Sequence, residues 1–179
     1  MVVSVDVKHV FKHPIELVVQ THFTKYPSER EKHVLRIDVL EHKIDFLKGT
    51  DYRRRLAVCD NVLPRLLRKI NALNEKTIVL EEETWLNTIS GCLHIKSRNV
   101  TWEKYATMKE ESHFFPHPEN TNWTQFEQHG SIEVQGLGTM GRVLELFARQ
   151  FLYAGVKRSL FIMEQELKDR CSQNEEVPS

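Results

Sequence analysis

The 179-residue sequence lacks the features that mark several common classes of protein. It has only three cysteines, and they are widely spaced without a Cys-x-x-Cys pair, so neither a disulfide framework nor a cysteine zinc site is indicated. The formal net charge is +0, which argues against nucleic-acid binding through the overall field of the protein. No run of about eighteen apolar residues occurs, so no transmembrane helix is expected.

A recognisable targeting segment is also missing at the N-terminus. Residues 1–8 alternate between apolar and polar side chains like a strand, and they include Asp6, whereas a secretory signal has a longer apolar run behind a basic start. They do not form the arginine-rich, acid-poor helix of a mitochondrial presequence either. We therefore expect a soluble chain without a cleavable signal.

The residues that are present predict a single domain. A length of 179 residues with 40% hydrophobic side chains is enough for one real core. We predict that the domain covers residues 1–170 and that residues 171–179 form a flexible tail.

The hydrophobic period changes near Pro27 and again near the C-terminus. Pro14 suits the first turn of a short helix, and Pro27 cannot continue it. Beyond Pro27 the period falls from near four to two, and about seven strands are predicted when the N-terminal strand is counted. Since no crossover helix separates most of them, the sheet should be antiparallel. A last helix is expected from about Thr139 to Asp169.

Two overlapping apolar stripes give this last helix a broad hydrophobic face. Gly155 lies where one stripe follows the other and would permit a bend. The helix either covers an ordinary sheet core or closes a cavity against a curved sheet, which would hold an apolar ligand. The stripe pattern alone leaves both alternatives open.

Residues 136–141 match the dinucleotide-binding pattern G-x-G-x-x-G between a strand and a helix. That site also requires a parallel strand after the helix, and here the chain ends instead. A nucleotide-binding enzyme is therefore disfavoured, and the glycines indicate a flexible junction. Metal binding is disfavoured too, because the prolines around His113 and His117 prevent the two histidines from sharing a helix face.

Charged residues cluster on two of the predicted strands. Alternation places Arg53 and Arg55 on one face and Arg54 on the other, so at least one arginine faces the side that the sheet buries. A buried guanidinium needs a partner, and a phosphate is a suitable bidentate one, although a solvated strand is the plainer alternative. The acidic run 81–83 sends Glu82 to the face opposite its neighbours, and we interpret this run as a solvated edge.

Residues 63–70 mix apolar and basic side chains. This mixture is typical of an element at a membrane surface, where apolar groups enter and cations meet anionic headgroups. It is equally typical of a short helix that caps the core.

Taken in order along the chain, several short motifs resemble the PRELI (slowmo) family, and the likeness extends from the first strand to about Leu167. No single motif is diagnostic, but their order and spacing together are specific. They are His13-Pro14, Lys25-Tyr26-Pro27, His33-Val34, Asp38-Val39-Leu40, Asp45, Arg55-Leu56, Leu63-Pro64, residues 95–99 and Pro116-His117-Pro118.

The resemblance implies an α+β fold in which a seven-stranded antiparallel curved sheet, a long C-terminal helix and shorter helices enclose a lipid cavity, as in START and phosphatidylinositol-transfer domains. It also implies a carrier without enzymatic activity and without a cofactor. Family members move phosphatidic acid or phosphatidylserine between mitochondrial membranes. Several work in the intermembrane space with a small twin Cys-x9-Cys partner.

By the same resemblance, Lys25, His33 and Arg55 are expected to contact the lipid phosphate or to line the way to it. A basic residue of the last helix corresponds to Lys157 or to the neighbouring Arg158. The lid that opens at an anionic membrane would include Leu63, Pro64, Leu66, Leu67 and Arg68.

One departure from the family pattern concerns residues 57–62. Carriers of phosphatidic acid have lysines there, whereas this chain has no cation and one acid, Asp60. A carboxylate near a phosphate site opposes anion binding unless a cation offsets it. The sequence therefore leaves the identity of the lipid headgroup undecided. It also leaves the alternative that the chain is an interaction protein, which keeps the fold without carrying lipid.

Overall fold

A computed structural model describes residues 2–175 of the protein, with side chains through residue 173. The short helices are α1 (Ile15–Thr24) and α2 (Arg65–Arg68), and a single 3-10 turn covers Asn71–Leu73. The last helix, α3, spans Thr139–Glu175. The strands are β1 (Val2–Phe11), β2 (Val34–Asp45), β3 (Thr50–Asp60), β4 (Thr77–Asn87), β5 (Leu93–Asn99), β6 (Ala106–His117) and β7 (Asn120–Val134).

The seven strands form one curved sheet in the order β1-β7-β6-β5-β4-β3-β2, and every neighbouring pair is antiparallel. The strand number and the antiparallel pairing predicted from the sequence are confirmed. Strands β2 to β7 follow one another as a meander, and β1 closes the far edge by pairing with β7. This topology leaves one face of the sheet free to be covered by helices.

Helix α1 begins directly after Pro14, whose carbonyl accepts the first helical hydrogen bond from the Val18 amide at 3.1 Å. Its apolar residues Ile15, Val18 and Val19 are buried against the inner face of the sheet. The chain then passes through a loop to β2, and this loop carries two of the predicted site residues.

Helix α3 crosses the inner face and contacts β1, β7, α1 and α2. The N-terminal part of α3 packs into one core cluster and its C-terminal part into a second one. The first cluster, under α2, contains Val3, Val5, Leu63, Leu67, Leu73, Ile132, Val134, Leu144, Ala148 and Leu152. The second cluster, under α1, contains Phe11, Ile15, Val18, Val19, Leu93, Ile95, Phe114, Phe126, Met163 and Leu167.

Helix α3 continues to Glu175, so residues 171–175 are helical rather than part of the predicted tail. The extra turn has contacts that hold it. Cys171 Sγ lies 3.5 Å from His13 Nδ1, and Arg170 donates to Thr24 Oγ1 at 2.5 Å. Residues 176–179 of the predicted tail lie outside the described residues. The helix also continues through Gly155, where the sequence permits a bend.

The glycine-rich segment between β7 and α3 is a junction. Gly136 and Gly138 have φ values of +71° and +52°, in the left-handed region that favours glycine. The preceding strand belongs to an antiparallel sheet, and the described chain ends in α3 without a further strand. The parallel strand that a dinucleotide site requires is therefore absent from the described residues.

Candidate functional site

A row of polar side chains crosses the inner face of the sheet. Arg55 of β3 pairs in register with Glu82 of β4, Glu82 with Ser97 of β5, and Ser97 with Glu110 of β6. Residues directly opposite each other on paired strands point to the same face. Ser112, two residues beyond Glu110 on the same face of β6, is buried. The row therefore lies under the helices.

Arg55 is the most buried arginine of the predicted basic cluster, with 9% of the residue exposed. Its Nε and Nη2 atoms donate to Glu82 Oε1 at 3.0 and 2.5 Å, and its Nη1 atom donates to the Phe23 carbonyl at 3.2 Å. The guanidinium also lies over the Phe23 ring. Arg55 is thus bound to groups of the protein itself.

His22 of α1 completes this network. Its Nε2 atom lies 3.4 Å from Glu82 Oε2, and its Nδ1 atom is buried without a hydrogen-bond partner among the described residues. Burial lowers the pKa of His22, and attraction to Glu82 only partly opposes this. Burial alone would raise the pKa of Glu82, but His22 and Arg55 outweigh it and hold that pKa well below its ordinary value. Glu82 is therefore a carboxylate at neutral pH.

The interpretation of residues 81–83 as a solvated edge is wrong for Glu82. Alternation does send it to the opposite face from Glu81 and Glu83, but that face is the covered one. Glu81 and Glu83 lie on the outer face, where Glu81 pairs with Arg98 at 2.9 Å and Glu83 accepts a hydrogen bond from Tyr52. The sequence showed the alternation without showing which face the helices cover.

Lys25 follows α1 and reaches the same region from the helix side. It is partly exposed, and its Nζ atom lies 5.1 Å from the centre of the Tyr26 ring. Burial lowers the pKa of Lys25, while attraction to Glu82 and Glu110 opposes that change. Among the described residues, no carboxylate comes within the 4.0 Å of an ion pair with Lys25.

Glu110 is the second carboxyl group of the region. Burial raises its pKa, and a hydrogen bond with Gln128 and attraction to Lys25 oppose that rise. Within the described part of the chain, Glu110 has no ion pair within 4.0 Å. Lys25 and Glu110 therefore line one region without forming an ion pair with each other.

A small cavity lies between these groups and α3. Its volume is about 40 Å³, and its polar wall contains Lys25, Glu82, Glu110, Ser112 and Gln128. Ligand pockets usually measure about 300–1,000 Å³, so this space admits little more than water. A larger ligand must displace the elements that cover it. The apolar wall includes Phe114, Phe126, Leu160 and Met163.

The structure brings only some of the predicted site residues together. Lys25 lines the cavity, and Arg55 lies behind Glu82 at its edge. His33 is exposed at the start of β2, 3.9 Å from Asp60 Oδ2. Lys157 is exposed on α3. Their roles in lipid binding stay predictions.

The predicted lid segment forms the helix α2 and its flanks. Leu63 and Leu67 are buried in the first core cluster, whereas Leu66 is 54% exposed and Pro64 is also exposed. Arg68 donates to the carbonyl oxygens of Leu63 and Asn61, so its guanidinium is hydrogen bonded to the backbone just after β3. The segment therefore covers the core, and it also presents one apolar residue to solvent.

Asn61 fastens both ends of this segment. Its buried amide donates to the carbonyls of Leu73 and Glu75 at 3.0 and 2.7 Å, and its Oδ1 atom accepts from the Leu63 amide at 3.0 Å. The side chain of Asn61 thus joins the two ends of the loop that carries α2. Sequence reasoning missed this residue, although it lies in the segment that departs from the family pattern.

The side chains that could hold a metal lie on the other face of the sheet. His94, Glu111 and His113 have suitable ligand atoms within 4.8 Å of one another. Two imidazoles and a carboxylate suit a divalent cation such as zinc. His94 and Glu111 are already hydrogen bonded at 2.6 Å, and this group has no contact with the cavity. None of the described helices is long and apolar enough to cross a membrane.

Comparisons with known proteins point to one family. The sequence model of the PRELI-like family matches residues 16–174. A protein slowmo homolog of Dictyostelium discoideum is 27% identical over 158 residues, which cover 88% of this chain and 68% of that protein. The UPS-like protein C36.10 of Schizosaccharomyces pombe is 31% identical over 139 residues, which cover 77% of this chain and 72% of that protein.

Solved structures of low sequence identity share the fold. The protein TTHA0849 of Thermus thermophilus superposes with a TM-score of 0.62 at 14% identity, covering 94% of this chain and 99% of that one. The Zhui aromatase/cyclase of Streptomyces sp. R1128 superposes with a TM-score of 0.60 at 13% identity, covering 99% of this chain and 98% of that one. These likenesses show the fold alone, a helix-grip arrangement of the START and Bet v 1 type.

Proposed function

The chain belongs to the PRELI-like family, and from this premise we propose that it carries an anionic phospholipid, such as phosphatidic acid or phosphatidylserine, between membranes. The headgroup would lie at Lys25, and the acyl chains would lie between α3 and the sheet. By the same family relationship, we place this transfer in the mitochondrial intermembrane space. The proposed activity is carriage without chemical conversion of the lipid.

The observation that carries the proposal is the position of Lys25. Its amine lines a covered cavity, has no ion pair among the described residues, and has a pKa that burial lowers. A partly covered ammonium without an ion pair is less favourable than a paired one, and an anionic ligand would supply the partner. A lipid phosphate that enters between α1 and α3 would supply the missing charge.

The cavity lies under α1 and α3, and we propose that the lid segment, which covers the neighbouring core cluster, moves to make room for the acyl chains. Leu63 and Leu67 occupy the core beneath α3, where acyl chains could replace them. Asn61 and Asn74 mark the two sides of the loop that would swing outward. Exposed Leu66 would meet the membrane first, with Arg68 released to bind anionic headgroups. The motion is a gating step of the kind that covered binding sites need.

A second candidate function is an interaction protein that keeps the fold without transferring lipid. Two observations favour it: the cavity is small, and residues 57–62 contain no cation. In either case we propose a small twin Cys-x9-Cys protein as partner, on the family relationship alone.

Native mass spectrometry of the purified chain, with and without such a partner, separates the two functions. A carrier should retain phospholipid and should move fluorescent phosphatidic acid or phosphatidylserine between liposomes. The absence of both bound lipid and transfer would leave the interaction protein as the better explanation. A thermal shift with nucleotides would instead indicate a nucleotide-binding site.

A further inference from the structure

The outer face of the sheet carries two histidines and a carboxylate close together, away from the cavity. We propose that His94, Glu111 and His113 bind one divalent transition-metal ion, with zinc as the best fit, and that the bound ion joins β5 to β6. Two imidazole nitrogens and one carboxylate oxygen are a common ligand set for zinc, and water completes the coordination. Neither the cavity nor the lid takes part, so this inference is independent of lipid carriage.

Strand pairing places the three side chains on one face. His94 of β5 lies directly opposite His113 of β6 in the antiparallel register. Glu111 lies two residues before His113 on the same strand, so it points to the same face and is the diagonal neighbour of His94. The chain also offers His117, four residues beyond His113, but the imidazole that approaches His113 comes from the neighbouring strand instead.

The backbone that carries these groups is held from the inner face by the core. Leu93 and Ile95 flank His94 and are 1% and 3% exposed, and Phe114, which follows His113, is 4% exposed. All three belong to the second core cluster. Alternation therefore fixes the strands on one side while the ligands point outward on the other. Ligands on strands that are anchored in this way stay close to their binding geometry.

The distances between the ligand atoms suit zinc. Glu111 Oε1 lies 2.6 Å from His94 Nε2 and 3.8 Å from His113 Nε2. Tetrahedral zinc with bonds of about 2.1 Å places its ligand atoms about 3.4 Å apart, which falls between these two values. The two imidazole rings are stacked, with centroids 4.3 Å apart and an interplanar angle of 7°. They must turn toward the ion, and the broad χ2 torsion of histidine permits this rotation.

Lys96 is the group that opposes a cation at this place. It lies opposite Glu111 in register, and its Nζ atom is 3.7 Å from Glu111 Oε1. Its side chain is 54% exposed, so the ammonium can move into solvent when an ion binds. Glu127, opposite His113, adds a negative charge that Lys8 offsets at 3.3 Å. Removal of the Lys96 charge should therefore strengthen metal binding.

The test is calorimetric titration of the purified chain with zinc, and with magnesium as the comparison ion. We expect one tightly bound zinc per chain and no comparable binding of magnesium, which prefers oxygen ligands. His94→Ala and His113→Ala should each weaken zinc binding at least about tenfold, because each removes one of three protein ligands. His117→Ala removes the other histidine of β6 and is the matched control, which should bind zinc as wild type does. Circular dichroism checks that all three variants fold.

A second arm uses the charge of Lys96. Lys96→Met should strengthen zinc binding roughly fivefold, because a positive charge close to the ion is removed. Lys48→Met removes the same charge from a side chain that is 80% exposed in the turn after β2, and it should leave the affinity unchanged. In wild type, zinc at about ten times its Kd should raise the midpoint of thermal unfolding by about 3–6 °C, and this shift should be lost in His113→Ala.

Nitrogen-15 NMR of the histidine rings identifies the ligands directly. Zinc should shift the Nε2 resonances of His94 and His113 and leave those of His117 unchanged. The inference is overturned if wild type binds no zinc, or if His94→Ala and His113→Ala bind it as tightly as wild type. Sedimentation that shows one zinc shared by two chains would equally overturn a site within one chain. The hydrogen bond between His94 and Glu111 would then be the whole role of this group.

Discussion

Arg55 and Glu82 face each other across β3 and β4, and two nitrogens of the guanidinium donate to the same carboxylate oxygen, Oε1, at 3.0 and 2.5 Å. The arginine expected to meet a lipid phosphate is therefore already paired. This pairing leaves Lys25 as the cation of the cavity wall that has no ion pair within the described part of the chain.

Removal of the Glu82 charge should destabilise the fold. Glu82→Gln leaves Arg55 as a buried charge without its partner, so the free energy of unfolding should fall by about 3 kcal/mol in urea denaturation. The folded-state pKa of Glu82 is lowered from 4.5, so this stabilisation is present above pH 4.5 and is lost as pH falls below it. Glu83→Gln, on the outer face with an acceptor kept for Tyr52, should change stability by less than about 1 kcal/mol. Equal effects of the two variants would contradict a special role for the buried pair.

Removal of the Lys25 charge should raise the thermal stability of the protein and weaken its binding of lipid. Lys25→Met relieves the burial of an ammonium group, and the midpoint of thermal unfolding should rise by about 2–4 °C at pH 7. Burial lowers the pKa of Lys25 from 10.5. The difference in the midpoint of thermal unfolding between Lys25→Met and wild type should therefore decrease as pH rises toward that value. Bound phospholipid, measured after native purification, should decrease at least about tenfold. Exposed Lys32→Met is the control, and unchanged lipid in Lys25→Met would move the phosphate site elsewhere.

Loss of the Asn61 side chain should loosen the lid. Asn61→Ala removes three hydrogen bonds that join the ends of the α2 loop, which should lower the free energy of unfolding by about 2 kcal/mol. Amide hydrogen exchange should accelerate within residues 62–75 and remain slow in β5 and β6. Asn74→Ala, an exposed change in the same loop, should leave exchange as in wild type. Uniform acceleration across the sheet would show that Asn61 supports the whole fold instead.

A charge at Leu66 should weaken membrane contact without unfolding the protein. Leu66→Glu changes a residue that is 54% exposed, and it would repel anionic headgroups where the lid meets the bilayer. Binding to vesicles with phosphatidylserine should fall at least about fivefold in flotation assays. Phe46→Glu, in the turn between β2 and β3 and 89% exposed, is the matched control and should bind as wild type. The reverse order of effects would place the membrane contact at that turn.

The sheet was predictable because its signals are local. Alternation along each strand and the absence of crossover helices both act within a few residues or between chain neighbours, and they determine antiparallel pairing. Alternation also separated Arg55 from Arg54 and Glu82 from Glu81 correctly. The extent of α3 was less predictable, because its last turn depends on contacts with His13 and Thr24 from the other end of the chain.

The site itself was only partly predictable. Lys25 was identified through a family resemblance, whereas Glu110 gave no signal, since a carboxylate on a strand is usually solvated. Its proximity to Lys25 arises from the packing of α1 over β6, which no local pattern encodes.

The sequence by itself determined that the chain makes a curved antiparallel sheet with a long helix and that an arginine of β3 points inward. Only the tertiary structure decided which charges meet there. The inner face became the covered one when α1 and α3 packed on it. Strand register then placed Glu82 against Arg55, and the packing of α1 over β6 brought Lys25 to the cavity that Glu110 lines. Burial makes electrostatic interactions strong at that place, so side chains that would be ordinary on a surface interact strongly there.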